Sequence, residues 1–207
     1  KIYFEKTMDE IITIGINSIS MVILISIFMG VVTSIQTASN LNNPFMPKFI
    51  VGIATRNMSV LELSPTVMGI IITGKIGSSI ASQIASMRIT EQIDALEILG
   101  VNSASYLVLP KILASVFSYP LLVIISIFLC ITAGYFAAIH VANISSEDYI
   151  LGITSQFKFS EVKIALYKST TFGFLMSSIS SFIGFNTKDG GSVEVGKAST
   201  KAFTVSS

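Results

Sequence analysis

The chain has 207 residues, of which 51% are hydrophobic and only 12% charged, with a formal net charge of +1 and a mean hydropathy of +0.76. Soluble domains carry about 25% charged residues, so lipid must cover most of this surface. A near-neutral chain without clustered Lys and Arg excludes nucleic-acid binding, a single cysteine excludes an internal disulfide, and a single histidine, His140, excludes a His-cluster metal site.

Spanning helices need roughly 20 mostly apolar residues, because backbone groups in lipid must be satisfied internally. The first candidate covers residues 11–35, which hold no charge, and Asn40-Leu41-Asn42-Asn43-Pro44 then reads as a turn. The second region, residues 49–86, is interrupted by Arg56, Glu62, Pro65 and Lys75. It predicts a short helix to Leu63, a break at Ser64-Pro65, and a spanning helix from Thr66, with Pro65 in the first turn where its missing N–H costs nothing. Two rows of small residues follow at intervals of four, Gly74/Ser78/Ser82/Ser86 and Gly77/Ala81/Ala85, beside a bulky row of Ile76, Ile80 and Ile84. Such rows let helices approach closely in lipid.

Residues 88–100 are too short and too charged to span. Ile89, Ile93 and Leu96 share one face while Glu91, Asp94 and Glu97 lie largely away from it, and Gly100 suits a C-terminal stop, so a short amphipathic helix is expected here. The third region, residues 106–141, starts near Lys111 and contains Pro120, where a kink is expected. Cys130 in its apolar run reads as a buried thiol. Residues 143–163 form a polar connection, a fourth span covers residues 164–185, and the tail from Asn186 is polar and glycine-containing. Lys1 in place of Met, and Ala202-Phe203-Thr204-Val205 close to the last residue, suggest truncation at both ends; no signal-peptide pattern is present. Lys and Arg lie on both sides of any alternating topology, so charge alone does not orient the chain.

Catalytic readings fare poorly. Gly191 to Lys197 fits the start of a P-loop, but Ala198 stands where a Mg²⁺-binding hydroxyl belongs, and a glycine loop at the membrane surface is the better reading. An intramembrane serine protease would have only His140 as its base, at the end of a span, and no Gly-x-Ser-x-Gly elbow occurs. Glu62 and Lys75 are the strongest intramembrane charges, and Glu62 supports a proton-driven secondary transporter only if it is buried. Catalytic residues, a metal and a cofactor are therefore not expected.

Three segments together resemble the MlaE-type permease family. They are Glu62-Leu63-Ser64-Pro65, then Gly74-Lys75-Ile76-Gly77-Ser78, then residues 87–101, Met-Arg-Ile-Thr-Glu-Gln-Ile-Asp-Ala-Leu-Glu-Ile-Leu-Gly-Val. The tail Gly190-Gly191-Ser192-Val193-Glu194-Val195-Gly196-Lys197-Ala198-Ser199-Thr200 is similar to that family's second signature. The chain departs from the pattern at Ser64 (usually Gly), Lys75 (Arg), Leu61 (Arg in some members) and Gln83 (Glu in some).

The resemblance implies an all-α polytopic membrane protein. About four spans fall in this fragment and a fifth beyond Ser207, with residues 1–207 as one transmembrane permease domain in a bacterial inner membrane. It implies a homodimer that binds a cytoplasmic ABC ATPase and a periplasmic MCE-domain lipid-binding protein and moves phospholipid between them and the membrane, with ATP hydrolysed by the partner. Residues 88–100 and the Gly190 tail would be cytoplasmic, and residues 40–48 and 143–163 periplasmic. ATPase coupling would then fall to Arg88, Glu91, Gln92, Asp94, Leu96 and Glu97. A lipid cavity needs apolar walls with a few polar points; Val31, Val32, Ile35 and Gln36, facing Met58, Leu61 and Glu62, are expected to supply it.

Overall fold

Helix is the only regular structure among the described residues, which are 2–41, 47–187 and 191–207 of a computed structural model. This is what a bilayer demands, since a helix satisfies its backbone within its own segment. Helix α1 (Ile2–Ile11) continues through a π-helical stretch, Ile12–Ile16, into α2 (Asn17–Asn40). Helix α3 (Ile50–Met58) continues through a second π stretch, Ser59–Val67, into α4 (Met68–Ile89). After α5 (Gln92–Ile98) come α6 (Ser103–His140), α7 (Ser146–Thr154), α8 (Phe159–Phe185) and α9 (Gly191–Ser206).

Three continuous helical stretches, Tyr3–Asn40, Ile50–Ile89 and Ser103–His140, are long and apolar enough to cross a membrane. The expected fourth span, α8, has the length, 27 residues, but falls outside that set. Its serines and Lys168 dilute its apolar character. Ser177, Ser180 and Ser181 are nevertheless buried, so the polarity points into the protein.

Other expectations need correction. The chain does not break at Ser64-Pro65: the helix runs on, and Pro65 sits inside the π stretch. A wider turn is one way for a helix to absorb a residue that lacks an N–H and crowds the preceding turn. Helix α6 likewise runs unbroken through Pro110 and Pro120. Gly191 to Lys197 is not a loop but the start of α9, with Gly191 itself at φ +67. Of the expected turn after α2, Asn42, Asn43 and Pro44 lie outside the described residues, as does Gly190 of the tail.

The chain divides into two compact units, each drawing on several helices. The first comprises Lys1–Ser18, Gly69–Pro120 and Thr170–Ser207. Here α4 presents Gly77 and Ala81 to α8. A Cβ on Gly184 would lie 2.7 Å from the Ala81 carbonyl oxygen, and one on Gly77 would lie 2.8 Å from Ser180 Oγ. Ala81, Ala85 and the row of Ile76, Ile80 and Ile84 are buried, whereas the row of Gly74, Ser78, Ser82 and Ser86 is half-buried to exposed. Thus one of the two small-residue rows makes the close approach that permits tight packing in lipid.

The second unit comprises Ile19–Met68 and Leu121–Ser169. Within it α2 and α6 meet at Gly30, where a Cβ would lie 2.2 Å from the Cys130 carbonyl oxygen. Around that crossing Cys130 Sγ donates to the Ser26 carbonyl at 3.2 Å, Ser26 Oγ donates to Ser126 Oγ at 2.9 Å, and Ser126 Oγ donates to Ser64 Oγ at 3.1 Å. Cys130 is therefore the buried thiol its sequence context indicates. Helices α3 and α7 are brought together by a glycine pair: a Cβ on Gly52 would lie 2.5 Å from the Tyr149 carbonyl oxygen, and one on Gly152 2.2 Å from that of Phe49. Tyr149 joins Val51, Ala138 and Ile144 in the core there. Burial pushes its phenol up to about 12, so it stays a neutral donor, 3.3 Å from the Ile131 carbonyl oxygen.

Candidate functional site

The structure makes the amphipathic segment a surface knuckle. Arg88 belongs to the last turn of α4, and Glu91 adopts a left-handed conformation (φ 58) that reverses the chain before α5. The helix is seven residues long, shorter than the expected span of 88–100. Its C-terminus closes as the sequence indicates: Gly100, at φ +75, donates its N–H to the Glu97 carbonyl, and Val101 donates to that of Leu96. These two bonds make the glycine-terminated cap that satisfies the last carbonyls of a helix.

Arg88 Nη1 lies 2.6 Å from Asp94 Oδ1, and Ser103 Oγ donates to Glu97 Oε1 at 2.7 Å, so three of the expected coupling charges are engaged within the knuckle. Ile93 is fully buried and anchors it, Leu96 is half-buried, and Glu91 and Gln92 are exposed. Two large apolar side chains stand out beside them: Ile98 is 87% exposed and Leu99 76%. Sequence reasoning passed over both. The signal was present, since two bulky aliphatics, one ending the helix and one capping it, lie off its buried stripe, where solvent alone would favour polar residues.

The second group of expected residues falls within one unit. Val32, Gln36, Met58 and Glu62 are exposed, and Val31, Ile35 and Leu61 are half-buried. On α2, a shallow depression at Ile35 is shared with Ala38, Ser39, Val141 and Ala142. On the other element the proline sets the chemistry. Pro65 has no N–H to donate, and around it the ladder runs to carbonyls five residues earlier, as the Met68 N–H does to Leu63. Within this π stretch Lys168 Nζ from α8 donates to the Leu61 carbonyl oxygen at 2.8 Å and lies 3.7 Å from Glu62 Oε1. Glu62 is therefore not a buried lone acid. Its side chain is 66% exposed and faces a lysine, which removes the condition on which a proton-driven role rested. His140 sits exposed at the end of α6, far from the buried setting a protease base requires.

Two buried cations went unrecognised in the sequence. Arg56 is 2% exposed. Its Nη1 donates to the Ile153 and Ser155 carbonyls at 2.8 and 2.6 Å, at the C-terminal end of α7 where a cation is favoured. Its Nε and Nη2 donate to Asn57 Oδ1. Lys111, 4% exposed, donates to Glu10 Oε1 at 2.5 Å and to Gln83 Oε1 at 2.7 Å. A charge in an apolar run was the available cue, but partners 97 and 101 residues away in sequence could not be read from it.

The family profile described as Permease MlaE matches residues 7–207. A "Probable ABC transporter permease protein" of Rickettsia typhi is 32% identical over 206 residues, covering 100% of this chain and 79% of the relative. One from Pyropia yezoensis is 32% identical over 205 residues, covering 98% and 76%. The Arabidopsis thaliana "Protein TRIGALACTOSYLDIACYLGLYCEROL 1, chloroplastic" is 29% identical over 213 residues, covering 100% of this chain and 58% of that protein.

Proposed function

This chain belongs to the MlaE permease family, and on that premise we propose that it is the membrane-spanning subunit of an ABC transporter that moves phospholipid. The lipid substrate is supported by one relative whose name is that of a glycolipid, trigalactosyldiacylglycerol. We read residues 1–207 as one transmembrane permease domain, paired with a second copy, driven by ATP hydrolysis in a separate cytoplasmic subunit, and serving a periplasmic MCE-domain partner from a bacterial inner membrane.

The observation that carries this reading is the knuckle at α5. A seven-residue helix between two long apolar helices is anchored by Ile93 and offers Ile98 and Leu99 beside Glu91, Gln92, Asp94 and Glu97. A membrane protein has no structural use for two exposed aliphatics at an aqueous surface, but a docking groove on an ATPase does. Coupling is thus assigned to Ile98 and Leu99 as apolar contacts, to Glu91 and Gln92 as free polar contacts, and to Leu96, Glu97 and the Arg88–Asp94 pair as the frame that holds the helix.

The lipid site is assigned to Val31, Val32, Ile35 and Gln36 of α2 with Met58, Leu61 and Glu62. Their exposure in the single chain suits a cavity completed by a second copy. A photo-crosslinking residue at Val32 or Leu61 in the assembled transporter is expected to capture phospholipid, and one at Ile127 of α6 to capture less. Equal labelling at all three positions would mean bulk lipid is being sampled and would overturn the assignment.

A further inference from the structure

Near the ends of α4 and α6 that flank α5, charged and polar side chains from three helices converge on one small cavity of about 190 Å³. Lys6, Asp9 and Glu10 come from α1, Gln83 from α4, and Tyr106 and Lys111 from α6. Lys111 is the built element. It is 4% exposed, and its two acceptors are Glu10 and Gln83. An ammonium carries three N–H donors, so one remains to be offered. A buried donor left without an acceptor is costly, which makes the cavity a place for an anionic oxygen. Lys6 adds a second cation, its Nζ held 3.3 Å from the centroid of the Tyr106 ring. Asp9 is exposed at the same cavity, and Glu10 carries the fourth charge.

The lining therefore holds two cations and two carboxylates. A free phosphate would meet the cations but also both carboxylates, whereas a group carrying a phosphate and a cationic amine meets all four with the right sign. The cavity is below the usual range of about 300–1,000 Å³ for small-molecule sites, which suits a head group whose acyl chains lie elsewhere. On the topology proposed above, the α5 side of α4 and α6 is cytoplasmic, and head groups of that leaflet lie at this level. We propose that the Lys6–Asp9–Glu10–Lys111 cavity binds the head group of an aminophospholipid of the cytoplasmic leaflet, its phosphate on Lys111 and Lys6 and its ammonium on Asp9 and Glu10. This rests on the orientation given under the proposed function, but not on transport.

The test uses the full-length permease with its partner subunits in nanodiscs containing equal amounts of phosphatidylethanolamine and phosphatidylglycerol. A photo-crosslinking residue replaces Met87, which also lines the cavity. Phosphatidylethanolamine is expected to be captured over phosphatidylglycerol by about tenfold, the worth of one charge-assisted hydrogen bond. Lys6→Gln with Asp9→Asn should abolish that preference with only a small loss of thermal stability from the Lys6–Tyr106 contact, because both residues lie outside the buried Lys111–Glu10 pair. Lys111→Met, made together with Glu10→Gln so that no charge is left buried alone, should lower total capture. Equal capture of the two lipids, or a preference that survives the Lys6/Asp9 double variant, would overturn the proposal. Capture blocked by soluble phosphoethanolamine or inorganic phosphate at the lipid's own concentration would overturn the lipid source. ATP-driven transfer measured on the same nanodiscs separates the outcomes: normal transfer with no head-group preference sinks this cavity alone, and preference without transfer sinks the transport reading alone.

Discussion

Lys168 Nζ donates to the carbonyl oxygen of Leu61 at 2.8 Å, four residues before Pro65 and inside the π stretch Ser59–Val67. A lysine on α8 thus braces the widened turn that carries the proline, and the same ammonium lies near Glu62. Lys168→Met is expected to destabilise the protein by about 1–2 kcal/mol, the worth of a hydrogen bond from a charged donor. Pro65→Ala allows the segment to return to α register, in which residue 65 gives its N–H to the Leu61 carbonyl, so Lys168→Met should cost less in a Pro65→Ala background than alone. Unfolding in detergent by all four members of this double-mutant cycle measures the coupling; strictly additive effects would contradict it.

The crossing of α2 and α6 at Gly30 makes a second prediction. A Cβ there would meet the Cys130 carbonyl oxygen, its carbon and its Cα, all backbone and none able to swing aside. Gly30→Ala is expected to lower stability by about 1–3 kcal/mol through overpacking. Gly196→Ala on α9, where a Cβ would meet nothing within 4 Å, should instead be neutral or slightly stabilising. A thermal-shift comparison of the two variants checks the ordering.

Removing the apolar tip of the knuckle should uncouple the protein without unfolding it. Ile98→Ser with Leu99→Ser touches only exposed side chains, so stability should change by no more than about 0.5 kcal/mol, while copurification of the ATPase subunit is lost. Glu91→Lys with Asp94→Lys should also weaken docking, and it carries a local cost because Asp94→Lys sets a cation against Arg88. An unchanged yield of ATPase with both double variants would show that this helix is not the docking element.

Arg56 holds the end of α7 by two hydrogen bonds to carbonyls. Arg56→Met would leave those oxygens and Asn57 without their cation, and hydrogen exchange across α7 and Ser155 should quicken while exchange in the first unit stays as it was. Arg56→Lys, a point donor in place of a planar fork, should give an intermediate result. Uniform quickening over the whole chain would mean that Arg56 supports global and not local stability.

How far the sequence reveals this molecule depends on how local each cause is. The long spans were legible because apolar runs need only counting, and the cap at Gly100 because a glycine after a short periodic stretch announces itself. The continuity through Pro65 was not legible: a proline reads as a break unless the turn around it is known to widen, and Lys168, which braces that turn, lies 107 positions from Leu61. Helix α9 was missed because glycines at 191 and 196 suggest a loop, although only Gly191 has a conformation that favours glycine. Among the candidate site residues, the charges of α5 drew attention by their pattern, whereas Ile98 and Leu99 mattered through exposure, which is a property of the fold.

The central claim is that this permease moves phospholipid at the expense of ATP hydrolysed by a separate subunit. The most direct measurement is transfer of fluorescent phospholipid out of proteoliposomes containing the permease and its copurified ATPase. Transfer is expected to require ATP, to stop with a non-hydrolysable analogue, and to be lost when Ile98 and Leu99 are replaced by serine. Transfer sustained by a proton gradient in the absence of ATP, and abolished by Glu62→Gln, would contradict it.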